Sequence, residues 1–419
     1  MTLVAIDVGS HKVCTLVADV VEDEIRVLGV GHASSEGIRG GEIVHVGDAA
    51  GAIAASVQRA ERSSGMPVRR ARVGMSGLHI GGFVNRGLLP CGRHARTVDQ
   101  IDVDRVLEVA GTVPLEADRE VLHVLTQHFA VDGGPPVDSP VNMEACRLEA
   151  STFVVTASAT AISNLRRCLA LAAVSPVGLG VSTLAAAEAV LTPDERRLGA
   201  FVLDLGASTS CLACYADGAL VHLKPLPVGG HQMTTDLGLN LQTPLSEAEH
   251  IKITHGHVLP ELDEDDREIE VATFGDGPLR QTTRLHVSEL LAQRADQIAQ
   301  LVWDEFGQTG LHDIFPAGAV LVGGATEMEG MLTRLSARWG MPVRAGHPRD
   351  VAGLPTALRG PGHAAAVGLL LWDARGIADA VGVPANRPVS SSSLQRLIDW
   401  LRRAFVPSSD GRGWEGGVG

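Results

Sequence analysis

Short apolar runs separated by polar or glycine-rich turns fill the start of the chain. Residues 3–7, 13–20 and 25–30 are such runs, with turns at 8–12 and 22–24. Runs of this length predict strands. Residues 47–63 then place Ala50, Ile53, Ala54 and Val57 at helical spacing, and 68–75 return to a strand. This is an α/β pattern with a hairpin-rich start. From 82 to 156 the pattern loosens. Glycine, proline and polar residues are frequent, a short helix is predicted at 102–110, and strand-like runs occupy 120–131 and 147–155. This stretch reads as an inserted small α+β subdomain, and a helix at 159–173 resumes the main pattern.

The apolar run 201–205 and the turn after it echo the N-terminus. Asp7, Gly9 and Cys14 recur as Asp204, Gly206 and Cys211, each at an offset of 197 residues. In both copies a strand delivers Asp-x-Gly into a turn of small residues, and a second strand follows. Both continue to a glycine cluster, Gly29-Val30-Gly31 or Val228-Gly229-Gly230. Two copies in matching context indicate a duplicated domain. A tight hairpin with glycine lets backbone N–H groups approach phosphate oxygens. Ser10, Ser208 and Thr209 add hydroxyl donors, and each Asp at a strand end can hold a hydrated Mg²⁺. The same pattern also fits two ordinary hairpins with turn glycines. A third motif, Gly323-Gly324-Ala325, follows the apolar run 318–322 and precedes a helix predicted at 328–339. Its glycines let a nucleoside approach the backbone, which favours the phosphate reading.

Composition narrows the classes. The chain has 419 residues, 45% hydrophobic and 20% charged, a globular composition. That length leaves room for about two to four domains. A net charge of −14 argues against a general nucleic-acid partner, and 3% aromatics against a base-stacking platform. Six scattered cysteines read as reduced, intracellular thiols. Cys211 and Cys214 lie three apart in a strand-like run, on opposite faces. The N-terminus has no basic segment before its apolar run, so no signal peptide is expected. The late apolar stretch 364–372 is too short to span a bilayer, and the body is expected to be cytosolic.

The end of the chain differs. Residues 385–393 are rich in proline and serine, a linker by composition. After them Leu394, Leu397, Ile398, Leu401 and Phe405 fall on one helical face, with Trp400 on its flank. Arg396 and Arg403 sit opposite, and Arg402 lies on the other flank. Such a helix fits a membrane interface with anionic lipids; a helix docked on the body is the other reading. One copy binds weakly, so stable attachment needs many copies, as a polymer supplies.

These motifs, in this order, resemble the actin-like ATPase superfamily of actin, heat-shock chaperone ATPases and sugar kinases. Within it the chain is similar to the FtsA cell-division family. The matching stretches are 6–13, 35–41, 75–80, 120–124, 226–231, 243–252 and Gly323-Gly324. The resemblance implies an actin-like fold, two lobes with duplicated mixed-sheet domains around a nucleotide cleft. Lobe one would comprise 1–81 and 157–200, the insert 82–156 and lobe two 201–378. A linker at 379–393, a membrane-targeting helix at 394–406 and a disordered tail at 407–419 would follow.

It further implies ATP and Mg²⁺. The first phosphate loop would be Asp7, Gly9, Ser10, His11 and Lys12, and the second Asp204, Gly206, Ala207, Ser208 and Thr209. Asp7 and Asp204 would reach Mg²⁺ through water. Gly230 would lie beside the nucleotide at a helix start, and Gly323, Gly324 and Ala325 would border purine and ribose. Glu249 and Lys252 would touch the adenosine; they also fit a solvated ion pair three residues apart on a helix.

The implied partners are FtsZ, further copies of the chain in a filament, anionic inner-membrane lipids and later division proteins. The implied place is the cytoplasmic face of the membrane at the division septum. Two departures from the family pattern stand out. Ser182 occupies the position matched to a glutamate of hydrolytic relatives, and Ala207 replaces a usual glycine. Nucleotide binding with slow or negligible turnover is therefore expected, with no catalytic residue assigned. A pilus-assembly adaptor and a small-molecule kinase are the alternatives on the same fold.

Overall fold

The three N-terminal runs form an antiparallel meander of β1 (Thr2–Val8), β2 (Lys12–Val21) and β3 (Glu24–Ser34). The computed structural model describes residues 2–375 except 22–23, 263–266, 276–277 and 350. The linker, helix and tail expected beyond residue 378 lie outside the described residues. Residues 3–6 and 13–18 are buried without alternation, as in strands covered on both faces. α1 (Val46–Ser64) lies along β3, where Ser56 Oγ donates to Gly31 O at 2.9 Å. β4 (Arg70–Met75) then runs parallel to β1.

The insert is a second sheet. β5 (Gly81–Pro90), β6 (Arg119–Val131) and β7 (Arg147–Ser158) pair antiparallel with β7 in the middle, and Pro136–Val137 adds a short edge. α2 (Gln100–Gly111) covers it, capped by Asp99 and closing a small core with Val106, Phe129 and Leu148. β5 was not expected from the sequence. Its apolar residues Phe83 and Val84 are adjacent, which breaks the period-2 signal, and in the structure both are exposed.

α3 (Ala159–Leu171), β8 (Ser175–Val181) and α4 (Ser182–Val190) complete the first lobe. Its sheet has the order β8-β4-β1-β2-β3, extended by the short strand Val351–Ala352. The second lobe repeats this order. β9 (Ala200–Leu205), β10 (Ser210–Ala216) and β11 (Ala219–Leu226) form the meander. They are followed by α5 (Gly230–Leu241), α6 (Leu245–His255) and α7 (Arg284–Thr309). β12 (Ala319–Val322), α8 (Met331–Trp339) and β13 (Val343–Ala345) close the sheet in the order β11-β10-β9-β12-β13.

The duplication holds at residue level. Asp7 pairs with Cys14 and Asp204 with Cys211. Gly9 N–H donates to Lys12 O and Gly206 N–H to Thr209 O, each at 3.1 Å. The glycine clusters are not equivalent, however. Gly29 and Gly31 lie inside β3, pressed against α1, whereas Gly229 and Gly230 open α5. The echo ends with the second strand.

Two large cores flank the second sheet. One face, with Phe201, Leu203, Leu212 and Cys214, packs on α5, α7 and α8. There the Phe201 ring meets Phe306 edge-on at 5.0 Å. The other face, with Val202, Cys211, Ala213 and Val320, joins the core of the first lobe through α4. Cys211 and Cys214 therefore do lie on opposite faces, each in a different core. The last described helix, α9 (Ala364–Ala374), corrects an expectation. It falls within the stretch assigned to lobe two, yet it packs on β1, β2 and β4 of lobe one and on α4. Its apolar run is local information; the sheet that covers it is not.

Candidate functional site

All sixteen residues singled out as nucleotide contacts line one cleft of about 840 Å³. Most arrive in a hairpin turn after a strand or at the start of a helix. The two Asp-x-Gly hairpins enter from β1 and β9, and Gly230 stands at the first turn of α5. Glu249 and Lys252 project from α6. Gly323 to Ala325 follow β12, in a short 3₁₀ turn, Gly324–Glu327, where the sequence pattern placed only the approach to a helix.

The hairpins are tied to their surroundings by backbone bonds. Gly230 N–H donates to Gly206 O at 2.9 Å and His231 N–H to Ala207 O at 2.6 Å, which joins the second hairpin to the start of α5. Gly323 has φ +85°, and a Cβ there would strike the Leu205 carbonyl and the Asp204 carboxylate. Only glycine serves at that point. In the first hairpin Ser10 Oγ accepts from Gly41 N–H at 2.9 Å, and Ser35 Oγ donates to Gly9 O at 2.5 Å.

The two aspartates are held by consecutive residues at the start of α4. Ser182 Oγ donates to Asp7 Oδ1 at 2.8 Å, and Thr183 Oγ1 donates to Asp204 Oδ2 at 3.2 Å. Burial raises the pKa of Asp7 against the opposing pull of Ser182 and Lys12. Burial and the charge of Asp7 push Asp204 up to about 7. Two recessed acids that repel each other form a place where a cation gains.

Lys252 Nζ donates to Glu249 Oε2 at 2.6 Å, Thr234 Oγ1 at 2.9 Å and Gly230 O at 3.1 Å. Thr234 Oγ1 also donates to Glu249 Oε2. The pair is thus not simply solvated: Lys252 is 12% exposed. Burial favours the neutral acid of Glu249, but Lys252 and Thr234 prevail and lower its pKa. Lys12 Nζ meets His363 Nε2 at 2.9 Å.

Sequence reasoning passed over Thr183, Thr234 and His363. Thr234 carried a signal, one turn beyond Gly230; His363 carried none, since it comes from the far end of the described chain. Ser182 had been noted only for the carboxylate it lacks. The acidic side chains lining the cleft are Asp7, Asp204, Glu249, Glu327 and Glu329. Asp7 and Asp204 bond α4, Glu249 is locked to Lys252, and Glu327 and Glu329 are exposed. The arrangement can hold a polyanion with a divalent cation and offers Ser182, not a base, beside it.

Comparison with known proteins agrees in extent. The family described as Cell division protein FtsA matches residues 201–368, and the SHS2 domain inserted in FTSA matches 77–156. Cell division protein FtsA of Pseudomonas aeruginosa is 33% identical over 410 residues, covering 96% of this chain and 98% of that protein. FtsA of Escherichia coli strain K12 is 30% identical, covering 96% and 98%. Among solved structures, the PilM–PilN type IV pilus biogenesis complex aligns with TM-score 0.63 at 15% identity, over 90% of this chain and 98% of that one. MreB5 of Spiroplasma citri bound to ADP aligns with TM-score 0.54 at 12% identity, over 89% and 96%. These two likenesses carry the actin-like fold alone. The near full-length identity carries more: the chain belongs to the FtsA cell-division protein family.

Proposed function

We propose that this protein binds ATP with Mg²⁺ between its lobes, assembles into filaments and tethers FtsZ to the cytoplasmic face of the membrane at the septum. The observation that carries the nucleotide part is the convergence of both Asp-x-Gly hairpins, Lys12, the α5 start and the Gly323 turn on one cleft. The hairpin N–H groups and Lys12 suit phosphate oxygens, and Asp7 and Asp204 fit a hydrated Mg²⁺ held through water. Bound there, the ion would neutralise phosphate charge. The chain's own residues position that complex: Ser182 and Thr183 aim the carboxylates, and the Lys252–Glu249–Thr234 network offers donors and acceptors to a nucleoside. Without a carboxylate at Ser182, turnover is slow or negligible, and a switch needs only different affinities in two states.

The membrane part rests on the sequence of 394–406, and the FtsZ, filament and septal parts on family membership. Later division proteins are further partners, with 82–156 as the inserted subdomain that meets them. The test is co-sedimentation with FtsZ on anionic liposomes in the presence of ATP. FtsZ is expected in the pellet only with the full chain, and removal of 394–405 is expected to release both proteins. Absence of FtsZ recruitment by the full chain would sink the tethering role.

A further inference from the structure

We infer that His363 is a positioning residue for Lys12, holding its ammonium at the phosphate loops through a neutral ring nitrogen. The inference rests on the nucleotide reading and names a residue that reading did not include. Pro361 and Gly362 line the cleft, whereas His363 does not; it acts through Lys12.

The geometry fixes the proton. An ammonium carries only donors, so His363 Nε2, 2.9 Å from Lys12 Nζ, must be the acceptor. The ring proton therefore sits on Nδ1, which is buried without a hydrogen-bond partner among the described residues. Burial, Lys12 and His32 push the His363 pKa down to about 4, so the ring keeps its acceptor at neutral pH. One Lys12 N–H is used, and the others stay available for phosphate oxygens.

His363 is itself well fixed. It ends the turn Pro361–His363, and its N–H donates to Gly360 O at 3.2 Å. Pro361 O accepts from Gly323 N–H at 3.0 Å. The His363 ring lies 5.2 Å from that of His32 on β3. His363 thus joins the first phosphate loop to the Gly323 turn. A lysine stem is costly to order, and holding it beforehand moves that cost out of the binding step.

The test is titration of the full-length protein with ATP and Mg²⁺, comparing wild type, H363L, H363Q, K12A and the H363L/K12A double variant. H363L is expected to weaken binding about tenfold. H363Q, whose amide oxygen can accept from Lys12, is expected to return to within about threefold of wild type. In the K12A background H363L is expected to add nothing. Unchanged binding by H363L, failure of the Gln rescue, or additive losses in the double variant would overturn the inference. Wild-type binding with an indifferent H363L overturns this inference alone; no binding by wild type overturns the nucleotide reading as well. Should H363L unfold, ¹⁵N-histidine spectra of the wild type decide. An Nδ1–H tautomer for His363 supports the contact and an Nε2–H tautomer excludes it.

Discussion

Ser182 Oγ donates a 2.8 Å hydrogen bond to Asp7 Oδ1, from the first residue of α4 to the penultimate residue of β1. A donor to a recessed carboxylate stabilises its charged form. Ser182→Ala should therefore cost about 1.5 kcal/mol in urea unfolding at pH 8, while any ATP turnover stays at the wild-type level. A large fall in turnover would mean that Ser182 takes part in chemistry.

Asp204 should make stability depend on pH in the direction opposite to an ion-paired acid. Its folded pKa, about 7, lies above the ordinary 3.8. Its favourable contribution is present in full below the unfolded pKa and is lost as pH rises through about 7. Each pH unit between the two values is worth about 1.4 kcal/mol at most. Asp204→Asn should thus melt above wild type at pH 8 without metal, with the advantage shrinking toward pH 4. It should also lose any stabilisation that the proposed Mg²⁺–nucleotide complex gives the wild type. Equal melting temperatures across this range would rule the account out.

Lys252 closes a network of four groups. Lys252→Ala leaves Glu249 without its cation and Gly230 O without that donor, so about 1–2 kcal/mol of stability should go. Adenosine and ATP affinity should fall together if the nucleoside sits against this network, as proposed. A loss confined to ATP would place Lys252 at the phosphates instead.

Gly368 lies where α9 crosses α4, and a Cβ there would overlap the Ala185 carbonyl. Backbone cannot yield as a side-chain tip can. Gly368→Ala should destabilise by about 2–3 kcal/mol, read as a lower denaturation midpoint with unchanged slope. A neutral result would show that the helices can slide apart.

His123 is fully buried on β6 against the Trp372 ring, at 4.9 Å, with neither ring nitrogen hydrogen-bonded among the described residues. Burial, and then Arg72, push its pKa down to about 3. Its contribution to stability is intact above the usual value of 6.5 and is lost as pH falls toward about 3. His123→Phe should flatten the stability profile between pH 6.5 and 5 and leave neutral stability within about 1 kcal/mol. Parallel profiles for the two proteins would assign the acid sensitivity elsewhere.

What could be read from the sequence was local or repeated. Asp7 and Asp204 were found because the same triplet recurs with the same strand before it, and the shared register confirms the repeat. Glu249 and Lys252 were found because three residues make one helical face. Gly29 and Gly31 misled as counterparts of Gly229 and Gly230, since a glycine pressed by a helix and a glycine opening one look alike until α1 is in place. The bonds from Ser182 and Thr183, the reach of His363 to Lys12 and the seat of α9 join residues far apart in sequence. No period or spacing announces such contacts.

The face of the second sheet that carries Val202, Ala213 and Val320 is buried in the first lobe's core. A fragment cut at residue 200 would therefore show that greasy face to water and aggregate rather than fold. Limited proteolysis should give either the whole described body or small peptides, with no stable half between. The two lobes should therefore unfold as one cooperative unit, so that a lesion in the core of either destabilises both.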